Sequence, residues 1–336
     1  MAVSMREVAA SAAVSIGTVS NVLNSPDKVA PATVERVHKA IAELGFVRND
    51  AARQLKAGRS RCVGLIVLDV GNPFFTDLAR SAERQASDNN LTLLLGTSDD
   101  DADREHTYLE TFDEQRVFGV LVSPVGDDLS RLEALQQRGT PVVLVDRNGE
   151  HTPFPSVSVD DVAGGALACG HLCDTGRRRI AFVGGPPAIR QVADRLQGAR
   201  EAIERVPGAT LEVIETPSLS VLAGRAAGEQ IRKRPVAERP DAIFCANDLL
   251  AMGVLQALTM LADVSVPGDI ALIGYDDIDF ARAAVVPLSS ISQPSQQLGS
   301  SAIDLLVGET TRRPHTPPRH VRFQPRLVVR ASTAPA

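Results

Sequence analysis

Eight short apolar runs punctuate the middle of this 336-residue sequence, and their spacing constrains its fold more than any other feature. Val63–Leu68, Leu91–Leu95, Val117–Val122 and Val142–Val145 form one series. Ile180–Val183, Leu211–Ile214, Ala242–Cys245 and Ile270–Ile273 form a second. Continuous apolarity over so few residues implies strands covered on both faces, and the helix-like stretches between runs supply the crossovers that parallel strands need. Two series imply two Rossmann-like lobes. That α/β architecture gathers ligand contacts beyond the carboxyl ends of its strands. Every run is also far below the roughly 20 apolar residues that cross a bilayer.

The first sixty residues read differently. Ser4-Met5-Arg6-Glu7 is a capping box that opens a helix reaching about Ala12. Ser15 offers a second N-cap for a helix over Ile16 to Leu23, and the short gap between them matches a helix-turn-helix. A third helix starts at Pro31, carries Val34, Val37, Ala40, Ile41 and Leu44 at helical spacing, and stops at Gly45. Nine basic residues against five acidic ones give residues 1–61 a net charge of +4, so the remainder carries −10 of the overall −6. A basic head on an acidic body suits a polyanion-binding head whose body stays off the polyanion.

Other classes fit poorly. The sequence has no Gly-x-Ser-x-Gly, no His-Glu-x-x-His and no phosphate loop, and its six histidines are dispersed, so no enzyme class is indicated. A transport receptor would share the two lobes, but Arg6 and Glu7 interrupt any secretory signal, which points to the cytoplasm and no membrane. Cys62, Cys169, Cys173 and Cys245 are too scattered for a disulfide framework. Cys169 and Cys173 share a helix face from which His171 points away, so a packed face is expected there and not a metal site. The run Asp99-Asp100-Asp101-Ala102-Asp103 is expected to be an acidic helix start.

Residues 4–58 closely resemble the headpiece of the LacI/GalR repressor family. The resemblance is carried by Met5-Arg6-Glu7-Val8-Ala9, Val14 to Asn24, Ala42-Glu43-Leu44-Gly45-Phe46 and Asn49 to Leu55. It continues through Asn72-Pro73-Phe74-Phe75, Ala246-Asn247-Asp248, Ile273 to Asp277 and Pro287 to Pro294, and so covers nearly the whole chain. It implies an all-α helix-turn-helix headpiece at 1–48, a hinge helix at 49–60, and a periplasmic-binding-protein-like effector domain at 61–331. The first lobe is expected at 61–160 plus 292–320 and the second at 161–291 plus 321–331.

The function implied is a repressor: a homodimer on a roughly palindromic double-stranded operator, controlled by a small-molecule effector and needing no cofactor. The resemblance assigns base reading to Ile16, Gly17 and Asn21. Ile16 suits a thymine methyl, Asn21 can pair with adenine, and Gly17 allows close approach. Ser15, Thr18, Ser20 and Asn24 are suited to phosphates. In the hinge, Leu55 matches an apolar wedge for the minor groove and Ala52 a small residue for close approach; Asn49 belongs to the same segment, and Arg53 and Lys56 can meet phosphates. For the effector the resemblance points to Asp69, Phe75, Asp146, Arg147, Arg195, Asn247 and Asp276, a polar set suited to a sugar or nucleoside. One departure stands out: Ala30 replaces the usual Ser cap of the third helix.

Overall fold

In a computed structural model, which describes residues 3–46, 60–260, 263–310 and 316–334, the capping box at Ser4 closes as its residues imply. The Ser4 hydroxyl accepts from the Glu7 amide at 3.4 Å, and the Ser4 amide donates to the Glu7 carboxylate at 2.7 Å. Helix α1 runs Met5–Ser11, α2 Ile16–Asn24 and α3 Pro31–Leu44, the last ending at Gly45 in the left-handed region with φ 62°. A short 3-10 turn at Pro26–Lys28, not foreseen from the sequence, joins α2 to α3. Val8, Ala9, Ala12, Val19, Val22, Val37 and Ala40 form a small core of their own. The chain divides into two units, Met1–Ser60 and Arg61–Ala336.

The second unit holds two six-stranded sheets. The first contains β1 (Cys62–Val67), β2 (Thr92–Thr97), β3 (Gly119–Val122), β4 (Val142–Val145), β5 (Ser156–Val159) and β11 (His320–Phe323) in the order β11-β5-β4-β3-β1-β2, all parallel. The second contains β6 (Arg179–Gly184), β7 (Thr210–Glu215), β8 (Ala242–Cys245), β9 (Ala271–Asp276), β10 (Ser289–Ser292) and β12 (Arg326–Val328) in the order β12-β10-β9-β8-β6-β7. Only β12 pairs antiparallel among the described strands of that sheet. All eight apolar runs fall on strands. Those at the sheet ends differ from the buried expectation: on β2, Leu94 and Leu95 are exposed.

Helices cover the sheets: α4 (Pro73–Asp88), α5 (Ala102–Glu114), α6 (Ser130–Gln137) and α12 (Ser295–Glu309) the first; α7 (Asp161–Asp174), α8 (Arg190–Glu204), α9 (Val221–Arg232), α10 (Asp248–Thr259) and the short α11 (Asp279–Arg282) the second. The chain passes between lobes three times, from β5 to α7, from β10 to α12 and from β11 to β12. The expected lobe limits shift accordingly. Ser292 still belongs to the second sheet, and the last crossing follows Phe323 instead of residue 320. Cys169 and Cys173 are buried on α7, and His171 Nε2 lies 2.7 Å from the Thr333 hydroxyl, a packed face as expected. Among the described residues no helix is long and apolar enough to cross a membrane.

Candidate functional site

The headpiece presents α2 as the sequence suggests. Ser15 caps it, accepting from the Thr18 amide at 3.0 Å. Val19 and Val22 turn inward while Ser15, Ile16, Gly17, Asn21 and Asn24 stay exposed and Thr18 and Ser20 are half-buried. An Ile kept 44 % exposed at a helix start has no core role, which suits an apolar contact with a base. A methyl group built on Gly17 would meet only the Ser15 hydroxyl, at an ordinary 3.6 Å, so nothing inside the headpiece requires glycine there. Asn24 turns back on its own helix: its amide nitrogen donates to the Ser20 carbonyl at 2.7 Å and lies 3.2 Å from the Ser20 hydroxyl. As expected, Ala30 makes no side-chain cap for α3. Asn49, Ala52, Arg53, Leu55 and Lys56 lie outside the described residues.

The second site is a cavity of about 360 Å³ between the lobes, at the carboxyl ends of both sets of strands. Asp69 and Phe75 follow β1, Asp146 follows β4, Arg195 lies on α8, Asn247 follows β8, and Asp276 ends β9; all six line the cavity. This is where a doubly wound sheet offers loop residues and helix N-termini to a ligand. Phe74 and Phe75 pack edge to face, with ring centroids 5.0 Å apart. Asn247 caps α10 through Leu250 N at 2.9 Å, and its own amide nitrogen donates to the Leu219 carbonyl at 3.1 Å. Asp146 and Asp276 are held with positive φ, 55° and 102°. Such strain in non-glycine residues is maintained only where surrounding structure enforces it.

The electrostatics are unusual for so small a space. Arg195 is buried and donates from Nε to Asp161 at 2.8 Å and from Nη1 to the Ala246 carbonyl at 2.8 Å, while Nη1 lies 3.9 Å from Asp276. Asp276 accepts from Asn72 at 2.9 Å and from Gln293 at 2.7 Å. Burial raises its pKa above the usual carboxylate range, although Arg195 and these two amides pull the other way. Burial first and the Asp161 charge second push Asp146 well above that range, and among the described residues its Oδ1 has no partner. At the mouth, partial burial and then Asp69 and Asp99 push Asp100 up to about 6, although its side chain still reaches solvent.

Arg147 departs from expectation. It does not line this cavity; its guanidinium pairs with Asp127 beside a separate space of about 20 Å³. Asp146, past the end of β4 with positive φ, lines both spaces, whereas Arg147 lines only the smaller one. Sequence reasoning missed Asn72, Asp99, Asp100 and Gln191, which line the cavity, and Gln293 behind it. Asn72 stood inside the Asn-Pro-Phe-Phe signature, and Asp99 and Asp100 inside the acidic run. The run does open a helix as expected, with Asp101 as its cap, accepting from Asp103 N at 2.8 Å.

Comparison with known proteins bears directly on this pairing of headpiece and cleft. Residues 4–49 match the model of bacterial regulatory proteins of the lacI family, and residues 169–333 that of a periplasmic binding protein-like domain. The ribose operon repressor of Escherichia coli strain K12 is 34 % identical over 330 residues, which are 98 % of this chain and 99 % of that protein. This chain belongs to the LacI family. A LacI-family chain is a DNA-binding transcriptional regulator, and its headpiece and lobes take that role here. Among solved structures, the lac repressor dimer bound to operator and an anti-inducer superposes with a TM-score of 0.85 at 25 % identity, covering 99 % of each chain. A LacI-family regulator from Enterococcus faecium with bound ribose gives 0.72 at 28 % identity, covering 82 % of this chain and 99 % of that one.

Proposed function

We propose that this chain acts in the cytoplasm as a homodimeric repressor, and not as an enzyme, releasing or gripping a roughly palindromic operator according to a neutral, hydroxyl-rich molecule in the cleft. The sugar or nucleoside class rests on one observation, the charge of the cavity. Five carboxylates, Asp69, Asp99, Asp100, Asp146 and Asp276, line it with one guanidinium that is already bonded to Asp161. Carboxylates accept from hydroxyl donors, and the Phe74 and Phe75 rings offer a surface to the apolar side of a sugar ring. A phosphate ester would meet uncompensated negative charge at low dielectric, so phosphorylated sugars are disfavoured. Among neutral sugars, D-ribose leads because one relative is named a ribose operon repressor and another was solved with bound ribose.

Bases are read by Ile16 and Asn21 in this account, with Gly17 admitting close approach and Ser15, Thr18 and Ser20 facing phosphates. The hinge with Leu55 as its wedge is carried over from the family resemblance. A molecule that favours one arrangement of the lobes shifts operator affinity by its difference in affinity for the two. Titration calorimetry of the full chain with D-ribose, other pentoses, nucleosides and ribose 5-phosphate tests the effector class. A neutral compound is expected to bind and to be lost in Asp276→Ala. Tightest binding by the phosphate ester would overturn the charge reading.

A further inference from the structure

Among the described residues Arg195 is the single cation lining the cleft, and a flexible side chain in that role must be held in one plane. Two of its contacts are polar, to Asp161 and to the Ala246 carbonyl. The third is the Tyr275 ring, whose centroid lies 3.7 Å beneath the guanidinium carbon. Tyr275 is fully buried on β9, immediately before Asp276, and its hydroxyl lies beside the Asp161 carboxylate without a hydrogen bond of good geometry among the described residues. A buried hydroxyl with so poor a bond contributes little, so the ring under the guanidinium is the part of this side chain that Arg195 uses. Room for the ring is made by Gly164 on α7, where a methyl group would collide with it. Nη2 of Arg195 has no protein acceptor among the described residues and is the edge left for a ligand.

We propose that Tyr275 is the positioning residue for Arg195, a flat shelf seated in the Gly164 gap that fixes the guanidinium plane so that Nη2 meets the effector. A guanidinium over an aromatic face is attracted by the ring quadrupole, most strongly where both are dry. Asp161 and the Ala246 carbonyl set where Nε and Nη1 sit; the ring backs the plane they define and resists its tilting when either bond stretches. The consequence for the effector rests on the cleft being a sugar site, whereas the orientation of Arg195 does not.

The test therefore reads both. Arginine Nε–H NMR of the full chain should show an Arg195 signal displaced by the ring, kept in Tyr275→Phe and returned to the ordinary range in Tyr275→Leu. An undisplaced signal, or one unmoved in Tyr275→Leu, overturns the proposal whatever the effector. Calorimetry with D-ribose should give Tyr275→Phe within about twofold of the parent and Tyr275→Leu weaker by roughly tenfold or more. Operator affinity without sugar should be retained in both. In an Arg195→Ala background, Tyr275→Leu should add no further loss; additive losses would mean the ring serves only packing and would contradict the proposal. Should the parent bind no D-ribose, the effector reading falls and the NMR result still decides the positioning role.

Discussion

Gln191, in the first turn of α8, donates one amide nitrogen to both the main-chain oxygen and the carboxylate of Asp146, at 2.6 and 3.0 Å. Asp146 belongs to the first lobe and Gln191 to the second, so this fork ties the lobes beside the cavity. Asn72 and Asp276 repeat the device in the opposite sense, the first lobe donating and the second accepting. Both ties use the groups offered to an effector. A ligand that takes Asp146 or Asp276 would compete with the bonds that join the lobes.

Replacing Gln191 with Ala removes the bonds to the main-chain oxygen and to the carboxylate of the buried Asp146. Unfolding in urea at neutral pH should show a loss of about 1–3 kcal/mol. The loss should shrink as pH falls, because Asp146, already raised by burial and by Asp161, then takes up a proton and needs less compensation.

Gly17→Ala separates folding from reading. The methyl group fits within the headpiece and removes a helix glycine, so stability should rise by roughly 0.5–1 kcal/mol. Operator affinity should fall by roughly tenfold to a hundredfold, comparable to one lost base contact. Unchanged operator affinity in an anisotropy titration would remove Gly17 from the interface.

Ala30→Ser restores a cap that α3 lacks. A gain of about 0.5–1 kcal/mol in headpiece stability is expected by thermal unfolding, with the melting temperature rising accordingly.

Asp100 sets a pH dependence with a definite sign. Its folded pKa of about 6 lies above the ordinary 3.8, so the folded chain holds this proton more tightly than the unfolded one. This group therefore contributes stability that is present below pH 3.8 and lost as pH rises to about 6. Asp100→Asn should remove that component, and a stability profile unchanged by the substitution would contradict it.

The parts of the fold written in apolar residues were legible. The eight runs became strands and the two caps opened helices where Ser4 and Ser15 stand. β5 and β10 were not, because half or more of their residues are serines. Ser156, Ser158, Ser289 and Ser290 are buried nonetheless, and Ser289 and Ser290 bond to Thr333 and Asp248. Hydroxyl burial depends on partners more than 40 residues away, which no local pattern displays. The cleft was legible where a residue follows an apolar run, as with Asp146 and Asn247, and obscure where a loop doubles back. Asp99 and Asp100 line the cavity from a turn after β2 in which both have positive φ, 49° and 58°. Arg147 pairs with Asp127 and lies outside the larger cavity, a long-range pairing that no local pattern displays.

The most direct test of the whole account is operator affinity measured by anisotropy, with and without D-ribose, for the full chain and for Asp276→Ala. Sugar should change the affinity of the parent chain by roughly 5-fold to 150-fold, the usual span of coupling between two sites. Asp276→Ala loses the tie to Asn72 as well as the ligand contact, so its own sugar-free operator affinity is the baseline, and adding sugar should leave that affinity unchanged. A variant that responds like the parent would contradict control through this cleft.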